Sequence, residues 1–366
     1  MTFSPGRAAL ARALAIGVVG GGVFAWFNLP LAWMMGAMSL TTLSAVGGVR
    51  VMVPPGLRLV MIAVLGVMLG SAFRPDILEQ AGQWTLSLAM LVVYVAAVAL
   101  LAGLYFRRVA RYDATTAYFS AIPGGLSEMI MVGGAMGGDD RSIALTHASR
   151  ILLVVLIIPF WFRLVEGYQP LPGGVAGSFM GFAQIPAADL AILGLCAVFG
   201  FFIARALRLP AAALTGPMTV SAAAHLFGLT TSTPPAELII IAQVVIGTAI
   251  GCRFAGVGPR RVLRAIVAAA GATAIMLGIG VVFSLALNAT LGLPMAALTL
   301  AFAPGGLAEM SLIALALGVD PAFVSTHHVL RIFLVVILAP MAFKLIAPRL
   351  GIGNGGKNRT RGTTEP

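Results

Sequence analysis

Apolar runs long enough to cross a bilayer recur along this chain, and that feature leaves few folds open. A bilayer core about 30 Å thick is crossed by roughly 20 helical residues. Runs of this kind cover Ala8–Phe27, Leu31–Gly48, Leu57–Phe73, Trp84–Phe106 and Ser142–Trp161. Five more follow at Leu190–Ala206, Ala211–Leu229, Leu238–Phe254, Val262–Leu287 and Ala322–Ile346. In lipid every backbone polar group must be bonded internally, and continuous apolar runs of this length read as helices. Only 10% of residues are charged, against about 25% in a soluble domain. The expected class is an all-α polytopic membrane protein, which excludes a soluble enzyme or a fibrous protein. Arg7 and Arg12 make the first run look like a signal peptide. The same kind of segment recurs at Leu190, mid-chain, so it is read as a span.

Two further apolar segments are interrupted. Ala114–Gly138 contains Pro123-Gly124-Gly125, and Met295–Gly318 contains Pro304-Gly305-Gly306. Proline removes a donor and clashes with the preceding turn, so each segment is expected to break into two half-helices. These two segments also anchor an internal duplication. Shifted by 181 residues, Pro123–Pro159 aligns without a gap on Pro304–Pro340, with 16 of 37 positions identical. Apolar bias produces Leu-on-Val matches. It does not bring Glu128 onto Glu309, Asp139 onto Asp320, His147 onto His328 and Arg150 onto Arg331. Weaker matches run upstream: Gly36 with Gly216, Pro54-Pro55 with Pro234-Pro235, and Gly66 and Gly70 with Gly247 and Gly251. The organisation expected is repeat one over 1–166, a Pro- and Gly-rich linker over 167–186, repeat two over 187–350, and a disordered polar tail over 351–366.

Charge decides between parallel and inverted repeats. If the Pro-Gly-Gly segments cross fully, the loop Lys and Arg divide 13 inside and 8 outside. If they are re-entrant hairpins, the division becomes 19 and 2, with only Arg74 and Arg163 outside. The positive-inside rule favours the second arrangement. This gives two inverted repeats of about five transmembrane helices plus one re-entrant hairpin each, with both termini cytoplasmic. The formal net charge of +11 is read as this asymmetry and not as a nucleic-acid footprint. Inverted repeats with broken helices are a secondary-transporter pattern, with the site near the midplane.

The doubled Pro-Gly-Gly-Leu-x-Glu-Met block, with His and Arg downstream, resembles the AbrB duplication family of bacterial inner-membrane proteins. The resemblance covers essentially the whole chain. It implies a role in regulating gene expression, since the family is described as regulators of aidB expression. An older label makes members ammonia monooxygenases. The small soluble DNA-binding AbrB is unrelated. The resemblance carries over no catalytic residues.

The candidate site consists of Gly124, Gly125, Glu128, His147 and Arg150, with their counterparts Gly305, Gly306, Glu309, His328 and Arg331. Each glutamate falls in the first turn of a second half-helix, where the helix dipole partly offsets the cost of a buried charge. It can cap that helix, or bind a cation, proton or substrate. Each His–Arg pair is spaced i, i+3 on one helix face. The arginine can hold the hairpin through a salt bridge to its carboxylate, or join Glu and His in a proton-coupled anion site. Asp139 and Asp320 read as N-caps. The two Gly-x-x-x-Gly pairs read as close packing surfaces, and His225 and His327 as structural. Cys196 and Cys252 read as buried hydrophobes.

Four histidines and two lone cysteines give no metal-ligand cluster, so no metal or cofactor is expected and a monooxygenase is disfavoured. The expected partners are the bilayer and a small molecule, transported or sensed, with proton or cation coupling. Self-association stays open, and no direct nucleic-acid contact is expected.

Overall fold

The structure is a computed structural model that describes residues 5–75, 77, 81–168, 177 and 179–350. The tail over 351–366 and linker residues 169–176 and 178 lie outside the described residues. Among those described, the secondary structure is helical, with no strand. Repeat one contributes α1 (Pro5–Trp26), α2 (Ala32–Val46), α3 (Pro55–Gly70), α4 (Thr85–Arg108), α5 (Ala114–Ala121), α6 (Leu126–Ala135) and α7 (Asp140–Leu164). Repeat two contributes α8 (Ala187–Ala206), α9 (Ala212–Leu226), α10 (Ala236–Gly251), α11 (Pro259–Leu291), α12 (Met295–Phe302), α13 (Leu307–Ala316) and α14 (Pro321–Ile346).

Seven of these helices, α1, α4, α7, α8, α10, α11 and α14, are long and apolar enough to cross a membrane. The ten-span expectation is therefore met only in part. Helices α2, α3 and α9 have 15, 16 and 15 residues, about 23 Å at 1.5 Å per residue. Their apolar runs overstate the helices because the flanking turns are apolar too. Leu31 and Ala211, at the start of α2 and α9, are left-handed turn residues with φ of 47° and 52°.

Glycine sets the closest helix contacts. Gly20 of α1 faces Gly36 of α2, and Gly200 of α8 faces Gly216 of α9; a Cβ on any of the four would run into the opposing backbone. The Gly-x-x-x-Gly pairs do the same work between repeats. Gly66 and Gly70 of α3 lie on the Leu214 and Met218 carbonyls of α9, while Gly247 and Gly251 of α10 lie on the Met34 and Met38 carbonyls of α2. Each repeat thus supplies both the donor and the acceptor of a close crossing with the other.

The remaining helices form a second group around the interrupted segments. Helix α11 packs on α4 and α7, and α14 packs on α4, α12 and α13. The interruptions fall where the prolines require. One separates α5 from α6 over residues 122–125, the other separates α12 from α13 over 303–306. The N-caps are as expected. Asp139 accepts from Arg141 N at 3.1 Å, and Asp320 accepts from Ala322 N at 2.8 Å with Pro321 behind it. The end of the linker is tied to α10, with Phe182 N donating to Glu237 Oε2 at 3.1 Å.

Candidate functional site

Breaking a helix at proline leaves carbonyls without donors. In an unbroken helix the Phe119 carbonyl would accept from residue 123 and the Leu300 carbonyl from residue 304, but both are prolines and have no N–H. Histidine supplies a side-chain donor in each repeat, and the Leu300 carbonyl also accepts from Ala303 N at 3.3 Å. His147 Nε2 lies 2.9 Å from Phe119 O, and His328 Nε2 lies 2.9 Å from Leu300 O. The next orphaned carbonyls, at the ends of α5 and α12, take arginine. Arg150 Nη1 donates to Ile122 O at 3.3 Å, and Arg331 Nη1 donates to Ala303 O at 2.6 Å. Each arginine also donates from Nη2 to its neighbouring imidazole Nδ1, at 2.9 Å for His147 and 2.8 Å for His328. An arginine can only donate, so both Nδ1 atoms accept. Both histidines are therefore neutral Nε2–H tautomers.

This arrangement corrects one expectation. Arg150 and Arg331 do not form salt bridges with Glu128 or Glu309; among the described residues their partners are carbonyl oxygens and imidazoles. The C-terminal end of a half-helix carries partial negative charge and unpaired carbonyls, and the planar guanidinium fork fits two such acceptors at once. The energies support it. A central arginine costs about 2.5–3.5 kcal/mol on the insertion scale, while hydrogen bonds to a charged group return about 1.5–3 kcal/mol each. Three such bonds around Arg331 outweigh that cost. The fork is buried in both repeats, with Arg150 4% and Arg331 1% exposed.

The carboxylates stand at the opposite helix ends. Glu128 and Glu309 occupy the first turns of α6 and α13, where the dipole favours a negative charge. Glu309 is buried, whereas Glu128 is partly open. Glu309 also lies in the field of Arg58 and Arg253, and the Arg58 Nε is buried without a partner.

The two breaks are not copies in conformation. Gly124 and Gly125 have φ of 143° and 54°, values only glycine adopts without strain. Gly306 is extended, with φ −79° and ψ 155°. Arg331 adds a third bond, from Nη2 to Gly305 O at 2.7 Å, which Arg150 lacks. Break one rests on the other repeat. A Cβ on Gly125 would sit 3.3 Å from Val336 of α14, and Tyr118 Oη donates to Ala339 O at 2.9 Å.

One residue was not found by sequence reasoning. Tyr94 of α4 is fully buried, its hydroxyl has no hydrogen-bond partner, and it lies in the field of both Arg150 and Arg331. Its ring meets Phe302 edge-on at 5.2 Å. The duplication hides it, because position 275 in the second repeat is isoleucine. No group of three or more His, Cys, Asp or Glu able to hold a metal occurs among the described residues.

The family described as "Transition state regulatory protein AbrB" matches residues 33–347, a stretch that includes both breaks and both arginines. The chain belongs to the AbrB family. It is similar to "Uncharacterized protein YhjN" of Bacillus subtilis (strain 168), with 28% identity over 91% of this chain and 92% of that one. It is also similar to "Putative regulator AbrB" of Escherichia coli (strain K12), with 26% identity over 87% and 91%. The AbrB match extends across both repeats, so the duplicated core of this chain is family territory and not an appended segment.

Proposed function

We propose that this AbrB-family protein is a transporter-like permease or sensor of the bacterial inner membrane. In this reading two inverted repeats hold a small anionic solute beside the two helix breaks. The observation that carries it is the inequality of two hairpins built from one sequence block. Gly125 is left-handed and Gly306 extended, and α6 is partly open where α13 is buried. Two near-copies of one element held in different conformations within a chain are the two end states that a two-state device requires. Exchange of those conformations between repeats would move access from one side of the membrane to the other.

Three features support an anion. Arg150 and Arg331 have no carboxylate partner among the described residues, the Tyr94 hydroxyl has no acceptor, and the breaks adjoin the N-termini of α6 and α13, where a helix leaves its first N–H groups without an intrahelical partner. Glu128 and Glu309 are the groups for proton or cation coupling. The 19-to-2 division of basic residues supports the re-entrant, inverted topology with cytoplasmic termini. A regulatory role, as the relative's name "Putative regulator AbrB" suggests, follows in this reading from the solute moved or sensed and not from contact with DNA.

Metabolite pools in cells with and without the protein identify the solute, and uptake into proteoliposomes then tests transport. Glu309→Gln is expected to abolish coupled uptake while leaving folding intact; full uptake in the Glu128→Gln, Glu309→Gln double variant would sink the coupling role. For topology, a single cysteine at position 260 in a Cys-free background is expected to resist an impermeant thiol reagent applied outside. Labelling there in intact cells rules out the inverted arrangement.

A further inference from the structure

A groove of about 430 Å³ lies between α4, α5 and α14 and borders the first break at Ile122. Val95, Ala99, Gly103 and Arg107 of α4 line it, with Ile122 and Leu338 among the residues opposite. The small side chains at 99 and 103 give it depth. A Cβ on Gly103 would reach only ordinary contact, 3.9 Å from Ala121. Its walls are almost wholly apolar. The Tyr118 hydroxyl is already spent on the Ala339 carbonyl, and Arg107 stands at one end with Arg108 and Arg111 beyond it. Leu100 and Leu338 on its rim are 62% and 45% exposed, so it opens sideways towards lipid.

The geometry points to a binding site for one acyl chain of an anionic phospholipid, with the tail in the groove and the headgroup phosphate on Arg107. A polar solute finds nothing to bond along these walls. A neutral lipid leaves the basic end unmatched. From Val92 to Arg107 the groove follows about 22 Å of helix, long enough for a single extended tail. At its inner end it reaches Ile122, whose carbonyl holds the longest of the arginine bonds, 3.3 Å from Arg150 Nη1. The lipid tail therefore bears on the looser of the two breaks. The site does not depend on whether the protein transports or senses.

Native mass spectrometry of the purified full-length protein tests this with phosphatidylglycerol and phosphatidylcholine of identical chains. Wild-type protein is expected to retain phosphatidylglycerol preferentially. Arg107→Gln is expected to reduce that retention about fivefold, the usual worth of one basic residue at a lipid surface, and to leave phosphatidylcholine unchanged. Ala99→Phe fills the groove and is expected to remove the retained lipid, whereas Val19→Phe, on the exposed face of α1, is not. Thermal unfolding checks that each variant is folded, and Leu338→Trp replaces Ala99→Phe if the latter is not. Equal retention of the two lipids, or undiminished retention in the filled groove, overturns the proposal in favour of general annular lipid. Competition by free inorganic phosphate, with no lipid retained, overturns it in favour of a plain anion site.

Discussion

The half-helix after the break in repeat two is packed on nearly every side, while its counterpart in repeat one is half open. Eight consecutive residues of α13, Leu307–Ala314, are buried; in α6 only Met129 and Gly133 are. Both interrupted segments carry the same Pro-Gly-Gly-Leu block at the break, and both are held by a His–Arg pair from the following helix. The local code is thus shared, and the conformation is set by what surrounds it. The difference is also written in the second half-helices. Repeat one has Gly133 and Gly134 where repeat two has Ala314 and Leu315. Each interior glycine weakens a helix by about 1 kcal/mol relative to alanine. The first repeat's half-helix α6 is therefore looser in its own backbone as well as in its contacts.

The arginines give the strongest test of that contrast. Arg331→Ala strands the Ala303 and Gly305 carbonyls and the His328 imidazole, at about 1–3 kcal/mol for each buried group left unpaired. Arg150→Ala strands two groups, one of which is already weakly bonded. Thermal unfolding in detergent should show the larger loss for Arg331→Ala, by about 1–3 kcal/mol for the one additional stranded group. Equal losses would mean that the bond lengths do not measure how firmly the hairpins are held. Because neither arginine pairs with a glutamate, adding Glu128→Gln or Glu309→Gln should not rescue either variant; rescue would restore the salt-bridge account.

Alanine at the breaks gives a smaller effect. At Gly125 it must adopt a left-handed backbone, which costs about 1–2 kcal/mol, and its Cβ would press on Val336 at 3.3 Å. At Gly306 the backbone is extended, and the new Cβ meets only the movable end of Glu309. Gly125→Ala should therefore destabilise more than Gly306→Ala. The reverse order would show that the glycine conformations, and with them the contrast between hairpins, are not maintained in the membrane.

Gly134→Ala works in the opposite direction. Its nearest neighbour is the Asp140 Cβ at 3.4 Å, so alanine fits and should stabilise by about 0.5–1 kcal/mol. Hydrogen exchange across α6 should slow relative to wild type, drawing hairpin one towards hairpin two. Unchanged exchange would place the looseness in packing alone.

The smallest effect belongs to Asp139, the cap of α7. The Ser142 hydroxyl at 2.5 Å, assisted by backbone N–H groups, holds its carboxyl below the ordinary aspartate range. With the folded value lowered, the contribution is fully present above the unfolded value, about 4, and is lost as pH falls through the folded one. Asp139→Asn should cost about 0.5 kcal/mol at neutral pH, the low end for a cap, because the residue is exposed. The difference should vanish in strong acid. A difference that persists there would assign the cap to shape and not to charge.

Much of this was legible in the sequence. The register that aligned His147 with His328 and Arg150 with Arg331 also located both breaks, and the caps at Asp139 and Asp320 follow from residue type. The partners of the arginines were not legible. A sequence suggests pairing opposite charges, whereas the acceptors here are backbone atoms common to every residue. A clue was present, since Phe119 and Leu300 each lie four residues before a proline, and that spacing marks the carbonyl needing a new donor. Tyr94 left no trace because it has no copy. The lengths of α2, α3 and α9 were overstated because hydropathy does not register where an apolar turn ends a helix.

The paired glycine crossings carry a consequence for the origin of the chain. Helix α3 has its close partner in α9, and α10 has its own in α2, so a repeat by itself lacks the surface its glycines were shaped for. A half-length ancestor with these glycines would have needed a second copy, the two subunits exchanging the same crossing reciprocally. Fusion of two such copies would have joined the partners in one chain and left each half free to diverge. Two separately expressed halves, divided within the linker, are therefore expected to reassociate through these two crossings.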